Sequence, residues 1–197
     1  SRKYLISEPV SDLINVIMQD QMTTNPDSKA EYVDWISNQK TLLKAIIIDQ
    51  EGNILSCTRS LTKPGQRQGK ADLIGGRVEE SAHGPQFHEA TLRREIKEET
   101  GLEVGKLFTV SMTSGEKESK SSGVIKIEFI GFICMVNAVK PNFELSDEHT
   151  DGRWLPLGEF LKLDFGEPEE GSHRQTIKEY INLINSGTDV KKLLETN

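Results

Sequence analysis

The sequence predicts an α/β domain, and three stretches carry the prediction. Leu42 to Ile48 is a nearly continuous apolar run, which is typical of a buried strand. After a turn at residues 49–53, Ile54 to Leu61 returns as its hairpin partner. Two later stretches favour helices. Thr91 to Leu102 is rich in charge, and Ser172 to Ile184 places apolar residues on one face: Ile177, Tyr180, Ile181 and Ile184.

Length and composition fit one domain, or one domain with an appendage. Of the 197 residues, 35% are hydrophobic and 28% are charged, as expected of a globular chain. The net charge of −7 argues against nucleic acid as a bulk partner. An acidic protein that binds a polyanion usually needs metal ions as a bridge, so this balance is compatible with a small phosphate-bearing substrate.

The two cysteines, Cys57 and Cys134, each lie inside an apolar run. This pattern favours buried thiols in a reducing compartment over a disulfide. No apolar stretch approaches membrane-spanning length and no signal peptide is visible. We therefore expect a cytoplasmic protein that does not bind membranes.

Residues 1–40 are predicted to form a helical extension, separate from a main domain at residues 41–197. One stripe is apolar at helical spacing: Val10, Leu13, Ile14, Ile17 and Met18. Asn25 to Asp27 breaks this helix, and a second short helix follows. The stripe must be buried somewhere. It either packs on the core or covers the substrate or a second subunit of a homodimer.

The other elements of the main domain follow from composition. Apolar stretches predict further strands at residues 72–74, 103–113, 123–139 and 153–157. Gly131 interrupts the long strand, as a β-bulge would. Stretches rich in polar, Gly or Pro residues predict loops at 62–71, 114–122, 140–152 and 164–171. A short helix through Leu161 follows the last strand.

The charged helix breaks a local rule. Glu95, Glu98 and Glu99 share one face and crowd the last turn, where the helix macrodipole favours cations. Each like-charge neighbour costs about 0.2–0.5 kcal/mol. Three carboxylates without His or Cys suit hard ions such as Mg²⁺ or Mn²⁺. The alternative is a solvated charged face, but Arg94 just before the first Glu and the upstream Gly75-Gly76 favour a metal site.

Residues 94–102, Arg-Glu-Ile-Lys-Glu-Glu-Thr-Gly-Leu, resemble the second half of the Nudix box, whose pattern is G-x5-E-x7-R-E-U-x-E-E-x-G-U with U apolar. This half matches at every specified position. The first half departs from the pattern, because Gly76 and Arg94 are four residues farther apart than the family spacing allows. The isolated Glu of the pattern falls on Gln86; Glu79, Glu80 or Glu89 would have to replace it. The extra residues are predicted to loop out at Ser81 to Pro85, with the helix beginning near Pro85 or Gln86.

The resemblance implies a Nudix-type α/β/α sandwich with a mixed sheet across residues 41–185. It also implies metal-dependent hydrolysis of a nucleoside diphosphate linked to another group X, by attack of water on phosphorus. By motif position, Glu95, Glu98, Glu99 and the Gly75 carbonyl would hold Mg²⁺ or Mn²⁺, and Arg94 would orient the glutamates. Gly76 would let the backbone approach the diphosphate.

Three further assignments stay open. A general base would come from the box or from the acidic loop, where Glu148 is preferred to Glu144. Arg59 is either a phosphate contact or a surface arginine. The four histidines lack metal-ligand spacing and are expected at the surface or at helix caps: His83, His88, His149 and His173.

Two other functions also remain. Some Nudix-fold proteins bind nucleotides as sensors without hydrolysis, although those typically lose box carboxylates that are kept here. The isopentenyl-diphosphate isomerase branch would want a catalytic cysteine before the box, and Cys57 lacks the expected surroundings. The positions that mark the ADP-ribose and diadenosine-polyphosphate branches carry Glu116 to Ser119, so neither mark is present.

Overall fold

The computed structural model describes residues 39–62, 67–78, 85–119 and 123–195. The predicted extension up to Asn38 lies outside this range, as does the predicted loop of extra residues apart from Pro85. The last two residues assigned to the extension, Gln39 and Lys40, begin the first strand.

The described strands form one sheet with the order β3-β2-β1-β5-β4, and β6 pairs with β2. The strands are β1 (Gln39–Ile48), β2 (Ile54–Arg59), β3 (Ala71–Asp72), β4 (Phe108–Ser119), β5 (Gly123–Met135) and β6 (His149–Leu155). After β3 the chain moves across to β1, where Ala45 N–H bonds to Ile74 O at 2.9 Å and Leu43 N–H bonds to Gly76 O at 2.9 Å. The Gly-Gly segment is therefore held against the central strand.

Helices cover both faces of this sheet. They are α1 (Pro85–Thr100), α2 (Leu157–Phe160), α3 (Ser172–Asn185) and α4 (Val190–Glu195). Strand β1 sends apolar residues to both faces of the sheet, because successive side chains point in opposite directions. Leu43, Ala45 and Ile47 join the cluster that contains Leu92 and Ile96 of α1.

The second apolar cluster lies on the other face. It takes Ile46 and Ile48 from β1 and packs them with Ile177 and Tyr180 of α3. The predicted α/β/α sandwich with a mixed sheet is confirmed. In the part of the chain that the structure describes, no helix is long and apolar enough to cross a bilayer.

The loop predicted at residues 114–122 is wrong for residues 114–119. Strands β4 and β5 stay paired as far as Ser119 and Gly123, so the polar residues continue an antiparallel ribbon. Backbone hydrogen bonds can hold two strands together even where the side chains are exposed. The polar composition of residues 114–119 therefore did not reveal that the strand continues. The strand predicted at 103–113 accordingly begins later, at Phe108, and ends later.

Gly131 has a packing role. The irregularity in the ladder falls on the opposite strand, between Thr109 and Ser111. A Cβ at Gly131 would collide with the hydroxyl oxygens of Ser111 and Thr176, which bond to each other at 2.9 Å. The glycine therefore lets α3 pack closely on β5.

Candidate active site

Helix α1 places the box carboxylates beside the Gly-Gly segment. Leu92 and Ile96 are fully buried and fix one face of the helix on the sheet. The helix begins at Pro85, as predicted. It ends before Gly101, which takes a left-handed conformation at φ +71° and donates its N–H to Lys97 O at 2.9 Å.

Gly75 contacts the last box glutamate. Its backbone N–H donates to Oε2 of Glu99 at 3.0 Å. Gly75 has φ +131°, and a Cβ there would collide with the carbonyl of Leu43 and lie 2.9 Å from Cδ1 of Leu92. Only glycine suits this position, because the backbone is both left-handed and closely packed.

Gly76 contacts the first box glutamate. A Cβ at this position would lie 2.6 and 2.7 Å from the two carboxylate oxygens of Glu95. The adjacent glycines therefore form a cradle with room for carboxylates from two successive turns of α1. The backbone of Gly76 is not left-handed, in contrast to that of Gly75. Glycine is therefore required at position 76 by lack of space and not by backbone conformation.

Arg94 joins two of the glutamates. Its guanidinium donates to Oε1 of Glu95 at 2.6 Å and to Oε2 of Glu98 at 2.6 Å. The orienting role of Arg94 stays a prediction that these two contacts would serve. Burial opposes the charge of Arg94, but the two carboxylates raise its pKa above the ordinary value. The like-charge repulsion on this face of α1 is thus partly offset within the helix.

Glu99 differs from its neighbours by being only 5% exposed. Burial raises its pKa, although Lys44, His149 and the Gly75 N–H act in the opposite direction. Glu98 is mostly exposed. The three box carboxylates therefore lie at three depths, from solvent to interior.

The acidic loop docks on the end of α1. Ser146 N–H donates to Glu99 O at 2.9 Å, and Glu144 N–H donates to Thr100 O at 3.0 Å. These bonds satisfy helix carbonyls that lack partners within the helix. The Glu148 side chain is exposed, and its backbone carbonyl accepts the Ser60 N–H at 2.8 Å. Both candidate general bases therefore belong to a loop anchored at the carboxylate cluster.

The chemical type of the candidate ligands suits Mg²⁺ or Mn²⁺. Glu95, Glu98 and Glu99 offer only oxygen atoms, and the Gly76 cradle leaves space that a Cβ would fill. Among the described residues, however, no three His, Cys, Asp or Glu side chains converge as a ready-made metal site. Glu95 and Glu98 instead share Arg94.

Sequence reasoning missed a buried carboxylate beside this site. The side chain of Asp72 is fully buried, and Arg59 NH1 lies 3.3 Å from its Oδ2. Arg59 is thus half-buried and paired with an acid. The alternative that it is a surface arginine is therefore wrong. Burial opposes ionisation of Asp72, but Lys44, His149 and His173 hold its pKa far below the usual range. A charged residue between the apolar Ala71 and Leu73 was the available signal.

The surface or capping role expected for the histidines is wrong for two of them. His149 and His173 are 4% and 3% exposed. His173 Nε2 lies 2.8 Å from Asp72 Oδ1, and His149 Nε2 lies 3.5 Å from Asp72 Oδ2. Their partner is distant in the chain, so spacing could not reveal the contact.

Both cysteines are buried free thiols, as predicted. Cys57 is 2% exposed, and its Sγ donates to the backbone carbonyl of Asp72 at 3.4 Å. Burial raises the pKa of this thiol well above its ordinary value. Cys57 therefore does not present a reactive group to a substrate, which argues against the isomerase alternative.

Comparison with known proteins agrees with this fold. The family model for the NUDIX domain matches residues 43–177, more than half of the chain. The chain therefore belongs to the Nudix hydrolases, enzymes that act on phosphorus-containing anhydrides. No curated protein shows a significant sequence match.

Several solved structures share the fold at low identity. A MutT protein from Methanosarcina mazei is 23% identical with a TM-score of 0.54, over 73% of this chain and 94% of that one. The NUDIX domain of Shewanella oneidensis NrtR, complexed with ADP-ribose, is 17% identical with a TM-score of 0.55, over 74% and 88%. A C. elegans Ap4A hydrolase is 15% identical with a TM-score of 0.51, over 75% and 98%.

Proposed function

We propose that the protein is a Mg²⁺- or Mn²⁺-dependent pyrophosphohydrolase. Its substrate is a nucleoside diphosphate linked to another group X, and water attacks one phosphorus of the diphosphate. The observation that carries the proposal is the cradle of Gly75 and Gly76, since one glycine bonds to Glu99 and the other leaves space for Glu95. Small nucleotides also suit an acidic chain better than nucleic acid does.

Glu95, Glu98 and Glu99, with the Gly75 carbonyl, are the proposed metal ligands. The bound ions would supply charge neutralisation on the diphosphate oxygens and lower the pKa of water. Arg94 holds two of these carboxylates in place through its 2.6 Å contacts.

The remaining roles belong to groups around the cradle. Glu148 is the proposed general base that accepts the proton of the attacking water. The anchoring of its loop on α1 restricts where its carboxylate can reach. Gly76 is proposed to allow close approach of the diphosphate, and Arg59 of β2 is the proposed phosphate contact.

Hydrolysis of a substrate panel tests the proposal. Nucleoside triphosphates, nucleotide sugars, dinucleotides and isoprenoid diphosphates are incubated with the protein in H₂¹⁸O, with Mg²⁺, with Mn²⁺ or with chelator. We expect metal-dependent cleavage of a nucleotide, with ¹⁸O in a phosphate product. Nucleotide-dependent thermal stabilisation without cleavage of any member would instead support a sensor.

A further inference from the structure

Basic side chains from separate parts of the chain converge on Asp72. Lys44 Nζ and Arg59 NH1 lie 3.4 and 3.3 Å from Oδ2, and Arg67 NH2 lies 3.4 Å from Oδ1. We call Lys44, Arg59, Arg67 and Asp72 the Asp72 cluster. Three cations thus face one fully buried carboxylate, and two further acids interact with them, Glu99 with Lys44 and Glu167 with Arg67.

The cations are not saturated by Asp72. Charge-assisted N–H···O bonds are typically about 2.7–2.9 Å long, which is shorter than these contacts. Lys44 Nζ makes its shortest bond to the Leu73 carbonyl, at 2.7 Å. His173 occupies Oδ1 at 2.8 Å, and the Leu73 N–H bonds to the same oxygen at 3.0 Å. Asp72 therefore has more donors around it than its two oxygens can serve well.

Buried polar atoms are left over. Among the described residues, Arg59 Nε and both ring nitrogens of His149 are buried without a hydrogen-bond partner. Unpaired buried polar atoms are costly and rare in folded proteins. The side chain of His149 is only 1% exposed, so solvent does not compensate its ring nitrogens.

The cluster borders the box carboxylates. The His149 ring lies between them, with Nε2 3.5 Å from Asp72 Oδ2 and Nδ1 3.9 Å from Glu99 Oε2. One imidazole therefore separates the Asp72 cluster from the site of the proposed chemistry. The side chains of Arg59 and Arg67 are 26% and 22% exposed, so neither is fully enclosed in the core.

The backbone of Arg67 supports a functional reading. This residue has φ +65°, which is uncommon for a side chain of this size. The strained conformation keeps the guanidinium beside Asp72 and within 3.4 Å of the His173 ring nitrogens.

We propose that the Asp72 cluster is an anion-binding subsite that recognises a negatively charged group, phosphate or carboxylate, on the X side of the substrate. The inference rests on the proposed function, because it assigns which X the enzyme prefers. Lys44, Arg59 and Arg67 bind the anion, with the fork of each arginine suited to two oxygens. Asp72 holds the cations at the required spacing while they are unliganded.

Binding of simple anions tests the subsite independently of catalysis. Inorganic phosphate and acetate are titrated into the full chain in chelator, at constant ionic strength set with chloride. We expect phosphate to bind, and Arg59→Gln and Arg67→Gln each to weaken it by about tenfold, as loss of a charged hydrogen bond predicts. Arg153→Gln is the matched control, because this exposed arginine bonds to Asp151 at 3.3 Å. Acetate shows whether a carboxylate suffices.

Arg59→Lys and Arg67→Lys cover the case in which a glutamine variant does not fold. These variants keep the positive charge but lose the bidentate geometry of the guanidinium group. We expect weaker phosphate binding at an unchanged melting temperature. Phosphate binding that is absent, or that is equal in wild type and all cluster variants, would overturn the subsite.

Hydrolysis then separates the two proposals. UDP-glucuronate and UDP-glucose differ in one carboxylate on X, and UTP supplies a phosphate as X. We expect kcat/KM for an anionic X to exceed that for UDP-glucose by about tenfold, with the preference lost in Arg59→Gln. Equal rates overturn the assigned specificity alone. Phosphate binding at the cluster with no hydrolysis of any nucleotide overturns the proposed function alone.

Discussion

The backbone N–H of Gly75 donates a 3.0 Å hydrogen bond to Oε2 of Glu99. This bond joins the two halves of the box across the extra residues between Gly76 and Arg94. Helix α1 begins at Pro85. Each inserted helical residue would turn the carboxylates by about 100°. The contact is compatible with the prediction that the extra residues loop out before the helix.

Glu98→Gln and Glu99→Gln are each expected to lower turnover by about 100-fold or more, since each removes a proposed metal ligand. The fold should survive, because burial raises the pKa of Glu99 and its charge is not needed for stability. Steady-state rates and Mn²⁺ affinity measure the effect. Glu103→Gln, an exposed acid paired with Lys97 just past the helix, is the control. Wild-type rates in both box variants would refute the metal assignment.

Gly75→Ala and Gly76→Ala should fail in different ways. At Gly76 the new methyl group meets the flexible carboxylate of Glu95, so we expect lost activity with a nearly unchanged melting temperature. At Gly75 it meets the Leu43 backbone and a left-handed φ, so we expect a large loss of stability. Gly115→Ala is the control, because its Cβ would meet no atom within 4 Å. Full activity in Gly76→Ala would mean that the cradle is not needed.

Asp72→Asn is expected to destabilise the fold by about 3–5 kcal/mol at neutral pH, because it leaves buried cations without their counter-charge. The folded-state pKa of Asp72 is lowered, so its contribution is present above the unfolded value of 3.8 and is lost as pH falls below it. The melting-temperature difference from wild type should hold above pH 5 and shrink below pH 4. Asp164→Asn, an exposed acid paired with Lys70, should change little. A difference that grows in acid would contradict this account.

Glu148→Gln and Glu144→Gln distinguish the two candidate bases. If Glu148 accepts the proton, its variant should lose about 100-fold in kcat and the acidic limb of the pH–rate profile. Glu144→Gln should retain both, with the same loop and the same charge change. The reverse pattern would transfer the role to Glu144.

Local pattern was sufficient for the box helix and the alternating faces of β1. Periodicity acts between residues close in the chain, so it placed Glu95, Glu98 and Glu99 on one face of α1. The same reasoning failed at residues 114–119, where a strand is held by backbone pairing with β5 and not by apolar side chains.

Only the tertiary structure identified the Asp72 cluster. Its members come from β1, β2, the segment after it and β3, and the histidines that join them come from β6 and α3. A carboxylate can remain ionised in the interior only when opposite charges surround it. Those partners are up to 101 residues away in the chain, so no local pattern predicts them. The sequence by itself thus determined the family and its carboxylate helix, and sheet pairing decided which cations meet beside it.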